Sequence, residues 1–207
     1  CAPSGNEVTQ VLKTLSPKPE ILWQTPHTLE DVLNDLIMLG EKTGTRDKAE
    51  KLMQQAWQKV EKISSAAASL PPVRVFFMEW VDPVYCGGHW VPDLIKWAGG
   101  MDPVSKPGVD SVRVPWEKVV EINPEVLIVA PCGFGAKTAL TQAELLKSRP
   151  GYSNLSAVKN NRVWAVDANS YFARPGLRLV TGLEILAHLF HPETFAWNGP
   201  ADAFFKV

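Results

Sequence analysis

The sequence predicts an α/β fold: a three-layer lobe with a mainly parallel sheet, attached to a long spine helix. Three observations carry this. Val73–Met78, Val126–Ala130 and Arg162–Val166 read as strands rich in apolar and β-branched residues. Helical periodicity follows each of them, and alternating strands and helices build a layered, parallel sheet. Finally, residues 46–68 repeat Leu52, Ala56, Val60 and Ile63 at helical spacing with Lys and Glu between them, enough for a helix of about 30 Å or more.

Each element has its own local reason. Val8, Val11, Leu12 and Leu15 give an opening helix that Pro17 and Pro19 stop, and residues 20–23 read as a short strand. Thr28 is an N-cap, with Glu30 and Asp31 suited to the positive end of the helix dipole. Leu29, Val32, Leu33, Leu36, Ile37 and Leu39 make the apolar face of that helix, and Gly40 marks its end. Pro71-Pro72 ends the spine helix. Residues 79–88 are loop-like, 92–98 helical, and 102–115, rich in Pro, Gly and Ser, an exposed connector. Residues 116–122, 139–147 and 177–190 are further helices, and 194–207 is an irregular apolar tail.

The composition narrows the function. With 45% apolar and 21% charged residues the chain has an ordinary globular balance, which excludes disorder. A net charge of -1 with no basic run gives no footprint for nucleic acid or an anionic membrane. No apolar run is long enough to span a bilayer. The three cysteines, Cys1, Cys86 and Cys132, do not form a disulfide framework. Eight tryptophans are many for this length and hint at a ligand-holding surface.

In parallel sheets, ligands gather at the carboxyl ends of strands, so three loops are the candidates. The first carries Trp80, Tyr85, Cys86, Gly87, Gly88, His89 and Trp90. The second carries Cys132, Gly133 and Phe134; the third Asp167, Tyr171, Phe172 and Arg174. Aromatics grouped there form rigid walls for a large planar or apolar ligand, although any one of them is as readily core. Cys86 and His89 have C-x-x-H spacing, and Cys132 is a third candidate ligand. A tetrahedral site needs three or four ligands in reach, and a Cys–His nucleophile needs an orienting group. The residues read as a glycine turn with a small polar lining, so no metal ligand and no catalytic group is assigned. His27, His188 and His191 stand beside helix ends, where capping and surface roles are the default.

Residues 77–80 (Phe-Met-Glu-Trp), 88–94 (Gly-His-Trp-Val-Pro-Asp-Leu), 98–100 (Ala-Gly-Gly), 111–117 (Ser-Val-Arg-Val-Pro-Trp-Glu), 123–134 and 170–176 (Ser-Tyr-Phe-Ala-Arg-Pro-Gly) together resemble the cobalamin-binding family among the siderophore- and vitamin-B12-type substrate-binding proteins of ABC importers. The resemblance covers most of residues 1–193. It implies two α/β lobes joined by a long helix, with ligand in the cleft between them, and no catalysis or cofactor. On that pattern, residues 1–43 are a remnant of the first lobe, 44–70 the linking helix, 71–193 the C-terminal lobe and 194–207 a tail. Cys1–Gly5 then falls inside the first lobe, so Cys1 is not expected to be a lipidated start.

The implied ligand is cobalamin or another corrinoid. Its expected contacts are Trp80, His89, Trp90, Trp116, Phe134, Tyr171, Phe172 and Arg174, with Glu117 presented to arginines of an ABC permease. Iron–siderophore or haem binding is the alternative within the class. A third reading is a truncated domain that makes protein contacts, self-associating through exposed cleft aromatics. The resemblance implies a periplasmic or cell-surface location.

Overall fold

The computed structural model describes residues 5–207, so the reading of Cys1 lies outside the described residues. Helix α1 (Gly5–Leu12) stops short of the expected Leu15, and Val11 and Leu15 are exposed. The expected strand at 20–23 does not form. An extended segment without a neighbouring strand has no ladder to satisfy its backbone, and Trp23 is left in solvent.

Helix α2 (Leu29–Lys42) begins where its N-cap was expected. The Asp31 N–H donates to Thr28 Oγ1 at 3.1 Å, and the Asp31 carboxylate accepts the N–H groups of Thr28 (2.8 Å) and His27 (3.0 Å). This reciprocal cap anchors the chain entering the helix. Those bonds hold the Asp31 carboxyl below its usual pKa, the His27 N–H contributing most. Gly40 does not end the helix. It lies inside it, because a Cβ there would sit 2.6 Å from Ala49 Cβ on helix α3 (Arg46–Ala67). The glycine serves close helix packing instead of termination. Helix α3 has 22 residues, a length of about 33 Å. It buries Ala49, Ala56, Val60, Ile63 and Ala67.

Strand β1 (Val73–Val81) runs further than expected and turns through a cis Asp82–Pro83 bond into β2 (Val84–Cys86). The segment read as loop is therefore largely a hairpin, because Val81 and Val84 pair directly and bury their side chains. There follow α4 (Val91–Trp97), β3 (Gly100–Met101), α5 (Trp116–Ile122), β4 (Val126–Val129) and α6 (Ala136–Glu144). The chain continues through α7 (Ser156–Lys159), β5 (Val163–Val166), α8 (Ala168–Tyr171) and α9 (Arg178–Phe190). The tail is not wholly irregular: β6 (Phe204–Lys206) pairs antiparallel with β5, and Phe204 meets Trp164 edge-on at 5.7 Å.

The sheet runs β2-β1-β4-β5-β6, with β3 also on β1. The β1–β4, β4–β5 and β1–β3 pairs are parallel, and the two edge strands β2 and β6 antiparallel. Side chains alternate along each strand between two apolar layers. Val75, Phe77, Val126 and Ile128 face a core shared with α2, α3, α4 and α9. Phe76, Met78, Leu127 and Val129 face the other, with Val119 of α5 and Ala143 of α6. The expected mainly parallel α/β lobe and its long helix are present.

Phe77 is 1% exposed and packs on Phe172 at 5.2 Å between ring centres. Phe77→Ala is expected to cost about 3–5 kcal/mol, read as a lower urea midpoint with an unchanged slope; a cost below about 1 kcal/mol would contradict this packing.

Candidate functional site at the strand ends

The three loops expected to converge do so, through the backbone. The Cys132 N–H donates to Glu79 O at 3.1 Å, joining the loops after β1 and β4. The Asn169 N–H donates to Phe134 O at 3.1 Å, joining those after β4 and β5. Trp80 and Phe134 lie 5.5 Å apart between ring centres, tilted by 50°, and Trp80 anchors its indole N–H on Asp82 O at 3.1 Å. Trp80 keeps 37% of its surface in solvent. Tyr171 is half-buried on the short helix α8, and Arg174 is exposed just beyond it. Asp167 caps that helix by accepting the Ser170 N–H at 2.8 Å. Gly182 of α9 lets the turn settle close by, since a Cβ there would be 2.5 Å from Tyr171 O.

Three of the expected ligand contacts have other work. Trp90 is buried, and its indole N–H donates to Phe172 O at 2.7 Å. Phe172 is buried against Phe77. Trp116 is buried in the second core, where its N–H donates to Pro150 O at 2.7 Å and Arg149 stands over its ring at 5.7 Å. Burial leaves little of these three side chains on the surface. A buried indole usually pairs its N–H, and the Trp90 and Trp116 indoles each find a main-chain carbonyl. Glu117, by contrast, is exposed at the start of α5. It rims a groove of about 420 Å³ with Asp82, Arg113 and Arg149.

His89 is turned toward His27, read from sequence only as a capping or surface residue, and toward Asp110, which sequence reasoning passed over. Its ring stacks on His27 at 5.5 Å with 20° between planes, and its Nε2 lies 3.1 Å from Asp110 Oδ1. No spacing rule links positions 27, 89 and 110. The one available sign was the capping pattern at Thr28, which places His27 just before a helix.

Cys86 is buried in the second core, away from the His89 group. Burial pushes its thiol pKa up. Cys132, half-buried between the loops, is also pushed up, by burial first and then by the Glu79 carboxylate, while Arg174 pulls it back. Little thiolate forms at neutral pH in such surroundings. Mass-resolved alkylation at pH 7 should therefore modify Cys132 more slowly in the folded than in the unfolded chain, with Glu79→Gln speeding it. Equal folded and unfolded rates would contradict the shift.

A cavity of about 760 Å³ lies elsewhere, between α3, α9 and the tail, lined by Lys59, Lys62, Ile63, Phe195 and Trp197. Its size suits a small ligand, but it lies off the strand ends, and Lys59 there is paired with Glu184 at 3.0 Å. The strand-end face is the stronger candidate because three loops and their polar groups meet there.

The two kinds of tryptophan can be told apart. Trp90→Phe strands the Phe172 carbonyl and should cost about 1–3 kcal/mol, whereas Trp80→Phe should change stability by no more than about 0.5 kcal/mol. Thermal unfolding reads both; equal costs would overturn the distinction.

Residues 8–170 match the periplasmic binding protein family. The vitamin B12-binding protein of Vibrio cholerae is 23% identical over 184 residues, spanning 88% of this chain and 63% of its own length. The chain thus spans somewhat less than two-thirds of that curated relative. Among solved structures, an ABC transporter substrate-binding protein from Listeria monocytogenes superposes with a TM-score of 0.77 at 19% identity, covering 90% of this chain and 73% of its own. A periplasmic heme binding protein from Pseudomonas aeruginosa gives 0.75 at 20% identity, covering 98% and 73%. At these identities the structures speak to the fold alone. The chain belongs to the periplasmic binding protein family.

Proposed function

We propose that this chain is the ligand-capturing part of an ABC importer and holds a corrinoid such as cobalamin, without catalysis. The observation that carries the reading is the grouping of Trp80, Phe134, Tyr171 and Arg174 at the carboxyl ends of three parallel strands. A corrin is a broad apolar plane fringed with amides. Aromatic faces cover the plane at low entropic cost, and a guanidinium donates to carbonyls on the fringe. Trp90, Phe172 and Trp116 hold this face from behind rather than touching ligand. Glu117, free of a packed environment, is the carboxylate offered to arginines of a permease. Such a partner and ligand go with an extracytoplasmic location. The similarity to the Vibrio cholerae vitamin B12-binding protein supports the ligand class.

Haem is the second reading. It is favoured by the 98% coverage of this chain by the Pseudomonas aeruginosa heme binding protein, and by the same physical match between a flat macrocycle and aromatic walls.

Cyanocobalamin should quench tryptophan emission and raise the unfolding temperature. Saturation at a hundred times Kd adds about 2.7 kcal/mol of stability. Trp80→Ala should weaken binding roughly tenfold, the worth of one good aromatic contact, and competition with haem ranks the two ligands. If neither ligand quenches or stabilises this chain, or one extended to the length of its relatives, the function is wrong.

A further inference from the structure

We infer that His27, His89 and Asp110 form a divalent-metal site, with zinc as the ion of best chemical fit. The candidate ligand atoms of the three residues all lie within 4.8 Å of one another. Tetrahedral zinc at about 2.0–2.2 Å from N and O ligands sets those atoms about 3.4 Å apart. Small side-chain rotations close the difference. The pairing of His89 Nε2 with Asp110 Oδ1 at 3.1 Å is already at that separation.

The donor set is informative. Two imidazoles and one carboxylate suit zinc or a similar borderline ion, and the exposure of His27 and Asp110 leaves room for water in a fourth position. The two rings, 5.5 Å apart with 20° between planes, can turn nitrogen lone pairs toward one point. A metal takes both without placing a positive charge on either ring. Asp31 adds a negative charge beside His27, since its carboxylate accepts the His27 N–H at 3.0 Å.

The backbone is set before any ion arrives. His27 is fixed by the capping interaction before α2. His89 is held on both sides, its N–H donating to Val109 O at 2.7 Å and its carbonyl accepting the Gly108 N–H at 3.0 Å. Asp110 follows directly. His89 adopts φ +54°, in the left-handed region that a non-glycine residue enters only under strain. Its neighbour Gly88 explains how the loop tolerates this turn: a Cβ at Gly88 would lie 2.3 Å from Ser111 N, so the two segments touch backbone to backbone. Glu79 ties them further, accepting the Gly88 N–H at 3.2 Å and the Ser111 hydroxyl at 2.6 Å. A bound ion would staple three segments far apart in sequence: the entry to α2, the loop before α4, and the connector before α5.

The site stands independently of the corrinoid reading, because the residues that carry that reading, Trp80, Phe134, Tyr171 and Arg174, are not among its ligands and its probe differs. The test is titration of the whole chain with Zn2+, by calorimetry and thermal unfolding, and with Co2+, whose visible absorption reports coordination. The expected result is one ion per chain, an unfolding temperature that rises with Zn2+, and visible Co2+ bands. His27→Ala and His89→Ala should each weaken binding by roughly a hundredfold and Asp110→Ala by roughly tenfold. All three should keep the parent far-ultraviolet circular dichroism. Thiols also bind zinc, so a C1S/C86S/C132S variant must retain full affinity. Absence of binding, binding lost in the serine variant, or binding undiminished in both histidine variants would each overturn the site.

Discussion

All four residues of strand β4, Val126 to Val129, are fully buried, and this constraint organises the molecule. A strand covered on both faces needs a parallel partner on each side and a helical layer above and below. Here β1 and β5 provide the partners. Helices α3, α4 and α9 cover one face, while α5 and α6 lie on the other. Each crossover back through a helix makes the strands point the same way, so their carboxyl ends open at one edge. The candidate site therefore lies where the sheet topology brings together the loops of three neighbouring strands, β1, β4 and β5.

Those loops are held together by main-chain bonds rather than by the side chains that would meet a ligand. Cys132 binds back to Glu79, and Asn169 to Phe134. The buried Trp90 indole adds a third tie through the Phe172 carbonyl. Trp80 and Phe134 are thus presented on a scaffold whose geometry is decided beneath them. That division lets surface aromatics vary with the ligand while the support remains.

The same economy appears around His89. The bonds that fix the loop backbone, from Val109, Gly108 and Glu79, also bring an imidazole beside His27 and Asp110. The segment capping helix α2 and the loops before α4 and α5 meet at this point.

Much of this was readable from residues alone. Local chemistry determined the helices and the three main strands, because apolar periodicity, the Thr28 cap and proline stops act over a few residues. The long helix and the meeting of three loops also followed from pattern and topology. What sequence alone could not decide was burial at single positions. Trp80 and Trp90 look alike in a list of loop aromatics, yet one is exposed and the other closed over by Phe172. The hairpin at 81–84, the edge strand at 204–206 and Gly40 inside a helix depended likewise on partners elsewhere in the chain. His27, His89 and Asp110 are the clearest case: 62 and 21 residues separate them in turn, and only the packing of α2 against the lobe brings them together.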